Sequence, residues 1–400
     1  MKYIVILGDG MAGYSLPERD NKTCLQLAHK PYIDALARKS TLGLMRTVPT
    51  GFAPGSDVAN LSVLGYDPAL YYTGRSPLEA ASIGIPLKDT DVTLRCNLVT
   101  LSEEEPFAQK TMLDYSAGEI STQEAKELIA ALKKQFDSPR FTLHAGISYR
   151  HCLVENSGRT GRTLTPPHDI SDRKISPYLP AGEGSEALLD MMVRSWDILK
   201  DHPVNQKRRA QGKNPANAVW FWGEGTKPAL PAFEALYQKR GGVISAVDLV
   251  KGIGILAGLK IIDVAGATGN WDTNFQGKAD ACADALLGGL DFVYVHMEAP
   301  DECGHHGDIQ KKIYSIEQID GVVKTVCERL RAAGEQFSML ICPDHPTPIA
   351  LKTHTADPVP FLLYRSDEER EGAARYDEET AAAAGLFLPR ACEMMAAFLR

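Results

Sequence analysis

The sequence places Asp301 and His305 four residues apart in Val295-His296-Met297-Glu298-Ala299-Pro300-Asp301-Glu302-Cys303-Gly304-His305-His306-Gly307, directly after the apolar run at 292–295. On one helical turn or tight loop, a carboxylate and an imidazole at that spacing can grip one divalent cation. Such ligands suit Zn, Mn or Fe better than Ca. The plain alternative is a polar loop after a strand. Two more acidic residues stand in the same relation to apolar runs. Asp9 follows residues 3–7, in Gly8-Asp9-Gly10, and Asp344 follows residues 337–341, in Cys342-Pro343-Asp344-His345-Pro346; His354 comes nine residues after His345. In open parallel sheets ligands gather beyond the carboxyl ends of the strands. Asp9, Asp301, His305, Asp344, His345 and His354 are therefore expected at one edge. Three carboxylates and three histidines suffice for two metals about 3.5–4 Å apart, a spacing used in phosphoryl chemistry.

Gly55-Ser56-Asp57 opens a helix-compatible run. Ser56 is thus expected at a helix N-terminus, where exposed N–H groups favour anions. An ordinary N-cap serine is the commoner use of such a position. Beside metal ions, a hydroxyl there can be activated as a nucleophile.

The elements that must carry these residues alternate. Apolar, β-branched runs at 3–7, 218–222, 243–247, 260–264, 292–295 and 337–341 read as strands, and helical patterns lie between them, notably the amphipathic stretch Ile313, Ile316, Ile319, Val322, Val323, Val326 and Leu330. This alternation predicts an α/β fold with a doubly wound, largely parallel sheet. Gly8-Asp9-Gly10-Met11-Ala12-Gly13 matches the dinucleotide fingerprint, but a polar, proline-bearing segment follows it instead of an apolar helix, so that reading is discounted. From about residue 88 the segments turn polar and mixed. The run 156–182 and the stretch around Arg208 and Arg209 concentrate basic side chains, which suit a small phosphorylated anion or merely form a solvated surface.

Four hundred residues suit two domains. A formal net charge of −8 argues against a general role on nucleic acid or anionic membranes. The eight cysteines form no C-x-x-C pair and lie mostly in apolar runs, as expected of reduced thiols in a cytoplasmic protein. No run is apolar enough to span a membrane.

Taken together, Gly8-Asp9-Gly10, Pro54-Gly55-Ser56-Asp57, Asp301-x-x-x-His305-x-Gly307, Asp344-His345, Thr353-His354-Thr355 and Asp357-Pro358-Val359-Pro360-Phe361 give the chain its resemblance. It resembles, essentially end to end, the archaeal-type cofactor-independent phosphoglycerate mutases of the alkaline phosphatase superfamily. The resemblance implies an alkaline-phosphatase-like, doubly wound catalytic domain, 1–87 with 226–400, and a smaller inserted α+β substrate (cap) domain, 88–225, that closes over the cleft. It implies two divalent cations, Mn2+ or Zn2+ with Mg2+ as a further candidate, and neither bisphosphoglycerate nor a nucleotide. Ser56 would become phosphoserine. Asp9, Ser56, Asp344 and His345 would hold one metal, and Asp301, His305 and His354 the other. Lys251 would contact the phosphoryl group, and Arg150, His151, Asp169, Arg173, Arg208 and Arg209 would be candidates for the substrate's phosphate and carboxylate. His306 would be a bystander. The implied reaction interconverts 3-phosphoglycerate and 2-phosphoglycerate in glycolysis and gluconeogenesis; the only expected partner is this small phosphorylated substrate, and oligomeric state is left open.

One departure stands out. Better-known branches carry a histidine shortly after the serine, where this chain reads Ser56-Asp57-Val58-Ala59-Asn60. Three alternatives share the metal core. A homoserine kinase would use ATP, though no G-x-x-x-x-G-K-[ST] loop is present. A phosphatase would release phosphate to water. A catalytically silent metal-binding or regulatory protein would do neither.

Overall fold

The structure, a computed structural model, describes residues 1–368 and 370–400. The chain divides into two compact units, Met1–Tyr72 with Ala229–Arg400, and Thr73–Pro228. The thirteen strands among the described residues are β1 (Lys2–Gly8), β2 (Thr41–Met45), β3 (Val92–Leu101), β4 (Met112–Asp114), β5 (Phe141–Ile147), β6 (Arg150–Glu155), β7 (Ala218–Thr226), β8 (Gly241–Ile244), β9 (Lys260–Ile261), β10 (Phe292–Met297), β11 (Phe337–Cys342), β12 (Val359–Arg365) and β13 (Phe387–Leu388).

The first unit holds an eight-stranded sheet in the order β13-β2-β12-β11-β1-β10-β8-β9. From β11 to β9 the neighbours run parallel, and β12 is antiparallel to both β11 and β2. This is the α/β class expected. Ile4, Val5, Ile6 and Leu7 of β1 are completely buried, as a strand must be when helices cover both faces of its sheet. The helix Ile309–Ala332 begins at Asp308, whose side chain accepts from Lys311 N. It buries Ile316, Ile319, Val323, Val326 and Leu330 and packs on the helix Phe275–Leu287. Each such side chain contributes about 1.5–3 kcal/mol of burial.

Register decides where the chemistry lies. Leu7 pairs with His296 on one side and Cys342 on the other. The three central strands therefore end in line, and the residues just beyond them meet at one edge.

The second unit is built on a five-stranded antiparallel sheet, β4-β3-β6-β5 with β7 also paired to β3. It starts with the helix Ser76–Ser82, ahead of the change in texture at residue 88, because that helix packs on β3 and β7. β3 is buried over all ten residues despite its polar sequence. Its polar side chains have partners: Asn97 Nδ2 donates to Tyr115 O at 3.1 Å and Thr100 Oγ1 to Pro215 O at 2.7 Å.

Seven of the eight unpaired cysteines are buried. Among the described residues no helix is long and apolar enough to cross a membrane.

Candidate active site

Ser56 is the first residue of the helix Ser56–Val63, and Gly55 holds the N-cap position with an extended backbone. The cap is a glycine, and in the first turn it is Asp57 Oδ1 that accepts from Val58 N, at 2.9 Å, so the Ser56 hydroxyl is not the cap of its helix. It lies 3.1 Å from His345 Nε2. The ordinary N-cap reading therefore does not apply.

Asp344 and His345 follow β11. Asp344 Oδ1 accepts from Gly10 N at 3.1 Å and from His345 N at 2.9 Å. Its Oδ2 accepts from Asn60 Nδ2 at 2.9 Å, and the same amide donates to Ser56 O at 2.8 Å. Tyr294 OH donates to Asn60 Oδ1 at 2.6 Å. Asn60 thus stands between the serine and Asp344 and joins them to β10.

Asp9 follows β1. Its Oδ2 is 2.8 Å from His296 Nε2. Its Oδ1 is buried, has no hydrogen-bond partner among the described residues, and lies 3.6 Å from His345 Nε2. Burial, then the charges of Asp344 and Asp301, push the Asp9 carboxyl well above the usual range. Gly10 has φ of +60°, and a Cβ there would come within 2.6 Å of Asp301 Oδ1. Only glycine lets these two loops approach so closely.

Asp301 lies in the first turn of the helix Ala299–His306, and Gly307, at φ of +72°, ends it. His305, one turn on, places Nε2 3.2 Å from Asp301 Oδ2. Its Nδ1 faces the Lys352 carbonyl at 2.9 Å. A carbonyl only accepts, so Nδ1 carries the proton and Nε2 faces the site. His354 Nε2 is 3.4 Å from Asp301 Oδ1 and 2.9 Å from His305 Nε2, and its ring stacks on His345 at 3.9 Å. Burial works to raise the Asp301 carboxyl, but bonds from His305 and His354 outweigh it and hold it well below the usual range. The same Asp301 bond lifts His305 to about 9.

Two groups of ligand atoms emerge, each within 4.8 Å: Asp9, Asp344 and His345, and Asp301, His345 and His354. His345 belongs to both. Three almost fully buried carboxylates lie together here, one oxygen of Asp9 has no partner among the described residues, and repulsion from Asp344 and Asp301 adds to burial in disfavouring the charged form of Asp9. Burial of that kind fits bound cations.

Lys251 and the expected residues of the second unit have partners of their own. Lys251 sits on the helix Asp248–Leu256, beside the Ser56 helix, and its Nζ pairs with Asp263 Oδ1 at 2.8 Å. In the second unit Arg208 is held by its own neighbours. Its Nε, NH1 and NH2 donate to Asn214 O, Glu124 Oε2 and Ala117 O, and the side chain is 2% exposed, so it braces this unit. Arg209 reaches Lys200 O and Glu103. His151 is buried, its Nδ1 accepts from Gly146 N at 3.0 Å, and burial lowers it to about 3, so it too is packed into the fold. Asp169 and Arg173 are exposed; Arg173 NH1 reaches Tyr178 OH at 3.4 Å.

A different basic cluster forms instead. Arg95 Nε and Arg75 Nε hold the two oxygens of Glu79 at 2.8 and 2.9 Å. The Arg95 guanidinium lies 4.1 Å over the Trp222 ring, and His168 meets the other rings of this group, Trp222 at 5.2 Å and Tyr115 at 5.9 Å. Arg150 lies over Tyr149 at 5.2 Å. The sequence alone did not single out Arg95, which stands in β3. His296, Asn60 and Tyr294 were missed as well; His296 and Tyr294 sit inside one apolar run.

A family model for 2,3-bisphosphoglycerate-independent phosphoglycerate mutase matches residues 37–205. A protein of that name from Methanosarcina barkeri is 47% identical over 398 residues, 99% of this chain and 98% of its own length. The chain belongs to this family. A probable phosphoglycerate mutase of the same type from Geobacter sulfurreducens is 49% identical over 99% of both chains. Among solved structures, a Pyrococcus horikoshii protein superposes with a TM-score of 0.83 at 26% identity, covering 100% of this chain and 96% of its own. The cofactor-independent phosphoglycerate mutase of Thermoplasma acidophilum gives 0.66 at 25% identity over 100% and 99%. Family membership thus extends over both units, and the residues described above are those of a phosphoglycerate mutase family enzyme.

Proposed function

We propose that this enzyme interconverts 3-phosphoglycerate and 2-phosphoglycerate through a phosphoserine at Ser56. The observation that carries this reading is the Ser56 hydroxyl, which does not cap its helix and lies 3.1 Å from His345 Nε2, in a chain 47% identical throughout to named mutases. Asp9, Ser56, Asp344 and His345 would hold one divalent cation, and Asp301, His305 and His354 a second. Bound there, such ions lower the pKa of a hydroxyl and offset charge on the phosphoryl oxygens. The mixed imidazole and carboxylate set suits Mn2+ or Zn2+.

In the first half-reaction the Ser56 Oγ–P bond forms as the bond from phosphorus to the substrate's 3-oxygen breaks. Ser56 loses a proton and the 3-oxygen gains one. In the second, the 2-oxygen loses its proton and takes the phosphoryl group, and Ser56 regains its own. Asn60 holds the serine's backbone against Asp344 through both halves. Lys251, one helix away, would meet the phosphoryl group after leaving Asp263.

We assign recognition of the substrate's carboxylate and phosphate to the second unit's Arg75, Arg95, Arg150 and His168. Two guanidiniums are already aligned by one carboxylate, Glu79, and arginine forks match such anions. The buried thiols suit a reducing cytoplasm. The homoserine-kinase and phosphatase alternatives gain no support from the relatives, which carry the mutase name. The test is conversion of 3-phosphoglycerate by metal-loaded protein, with Ser56→Ala as the control.

A further inference from the structure

The ends of β8, β10 and β1 lie side by side: Ile244 pairs with Val295, which pairs with Ile6. One residue further along, Ser245 and His296 meet, and His296 reaches Asp9. Ser245 Oγ is 3.1 Å from His296 Nδ1, and His296 Nε2 is 2.8 Å from Asp9 Oδ2. Ser245, His296 and Asp9 are 4%, 0% and 1% exposed, so their polar atoms must find partners inside the protein.

The direction of these bonds follows from their neighbours. Val247 N donates to Ser245 Oγ at 3.0 Å. The Ser245 proton then needs an acceptor, and His296 Nδ1 is the one the structure offers. With Nδ1 accepting, the ring's proton sits on Nε2 and is donated to Asp9 Oδ2. Lys278 Nζ, itself 1% exposed, donates to the His296 carbonyl at 3.1 Å and fixes the strand end from below. One oxygen of Asp9 is therefore occupied. The other, Oδ1, is buried without a partner and faces His345 Nε2 at 3.6 Å.

We infer that Ser245 and His296 form a positioning chain that selects Oδ1 of Asp9 for the cation. A neutral imidazole donor orients a carboxylate without cancelling its charge, which a lysine or arginine in that place would do. Outer partners of this kind typically change metal affinity by about 10–100-fold. The inference rests on the reading of Asp9 as a ligand and is independent of which substrate the enzyme turns over. A histidine that only ties strands together would cover the same burial, but would not distinguish one metal site from the other.

The test is Mn2+ binding to the metal-stripped full-length chain, counted by electron paramagnetic resonance and ranked by competition with a chelator. The unaltered chain should bind two ions. His296→Leu should weaken one site by about 10–100-fold and leave the other within about twofold. His296→Gln, whose amide N–H can replace Nε2–H, should recover part of that loss. Ser245→Ala should weaken the same site to a smaller extent. Should His296→Leu fail to fold by circular dichroism, Ser245→Ala decides, because it removes one hydroxyl only. Unchanged affinities in Ser245→Ala and His296→Leu, or equal weakening of both sites, would overturn the inference. An unaltered chain that binds no Mn2+ overturns it together with the ligand reading. Site-selective loss in a chain that fails to convert 3-phosphoglycerate would uphold it and reject the mutase reading alone.

Discussion

Ser56 and His345 are separated by 289 positions in sequence and by 3.1 Å between Oγ and Nε2. The contact exists because the Ser56 helix starts where β11 ends, and because Asn60 bonds both Ser56 O and Asp344. Ser56→Ala removes the acceptor of the phosphoryl group and little else. Turnover should fall to background, with two Mn2+ ions still bound at the histidine and aspartate ligands. Retained turnover would reject the phosphoserine.

Asn60 is the second point of leverage. Asn60→Leu strands the Tyr294 hydroxyl and Asp344 Oδ2, and each stranded buried group costs about 1–3 kcal/mol. Urea unfolding should show that loss, and kcat should fall with it. Tyr294→Phe should be milder in activity, since Asn60 Nδ2 still holds Asp344. A Tyr294→Phe variant less active than Asn60→Leu would argue against Asn60 as the link.

Arg95 and Arg209 test where substrate anions are read. Hydrogen bonds to charged groups are worth about 1.5–3 kcal/mol, or roughly 10–100-fold in affinity. Arg95→Gln should raise KM for 3-phosphoglycerate by about that factor. Arg209→Gln should leave KM alone, since among the described residues the Arg209 side chain reaches Lys200 O and Glu103. The reverse pattern would move the pocket to the helix Pro203–Ala210.

His151 gives stability a pH dependence. Burial lowers it to about 3, below its ordinary 6.5. Above pH 6.5 both folded and unfolded chains hold it neutral, and its contribution is complete. As pH falls from 6.5 towards 3, the unfolded chain takes the proton first and stability drops, by at most about 1.4 kcal/mol per pH unit. Unfolding midpoints at pH 7 and pH 5 should differ, and His151→Asn, whose side-chain oxygen can accept from Gly146 N, should narrow the difference. An equal pH dependence in both proteins would rule this out.

Asp9, Asp301 and Asp344 were legible in the sequence because each follows an apolar run, and strand-end rules bring such residues together without knowledge of the packing. His305 was legible from its spacing to Asp301. His296 was hidden: a polar residue inside an apolar strand shows its role only once its neighbours β8 and β1 are known. The partners of Arg208 were hidden for the opposite reason. In sequence Arg208 is one more basic residue in a polar stretch, whereas the fold brings Glu124, Ala117 and Asn214 around its guanidinium. Arg95 shows the same limit, since Glu79 and Trp222 reach it from separate elements.

The central claim is metal-dependent transfer between the two hydroxyls of glycerate. Its most direct measurement is the conversion of 3-phosphoglycerate to 2-phosphoglycerate by the full chain loaded with Mn2+ or Zn2+, beside a chelated sample of the same preparation. Turnover should disappear with the chelator and return with added metal, without bisphosphoglycerate. No conversion with any divalent metal, or conversion undiminished by chelation, would contradict it.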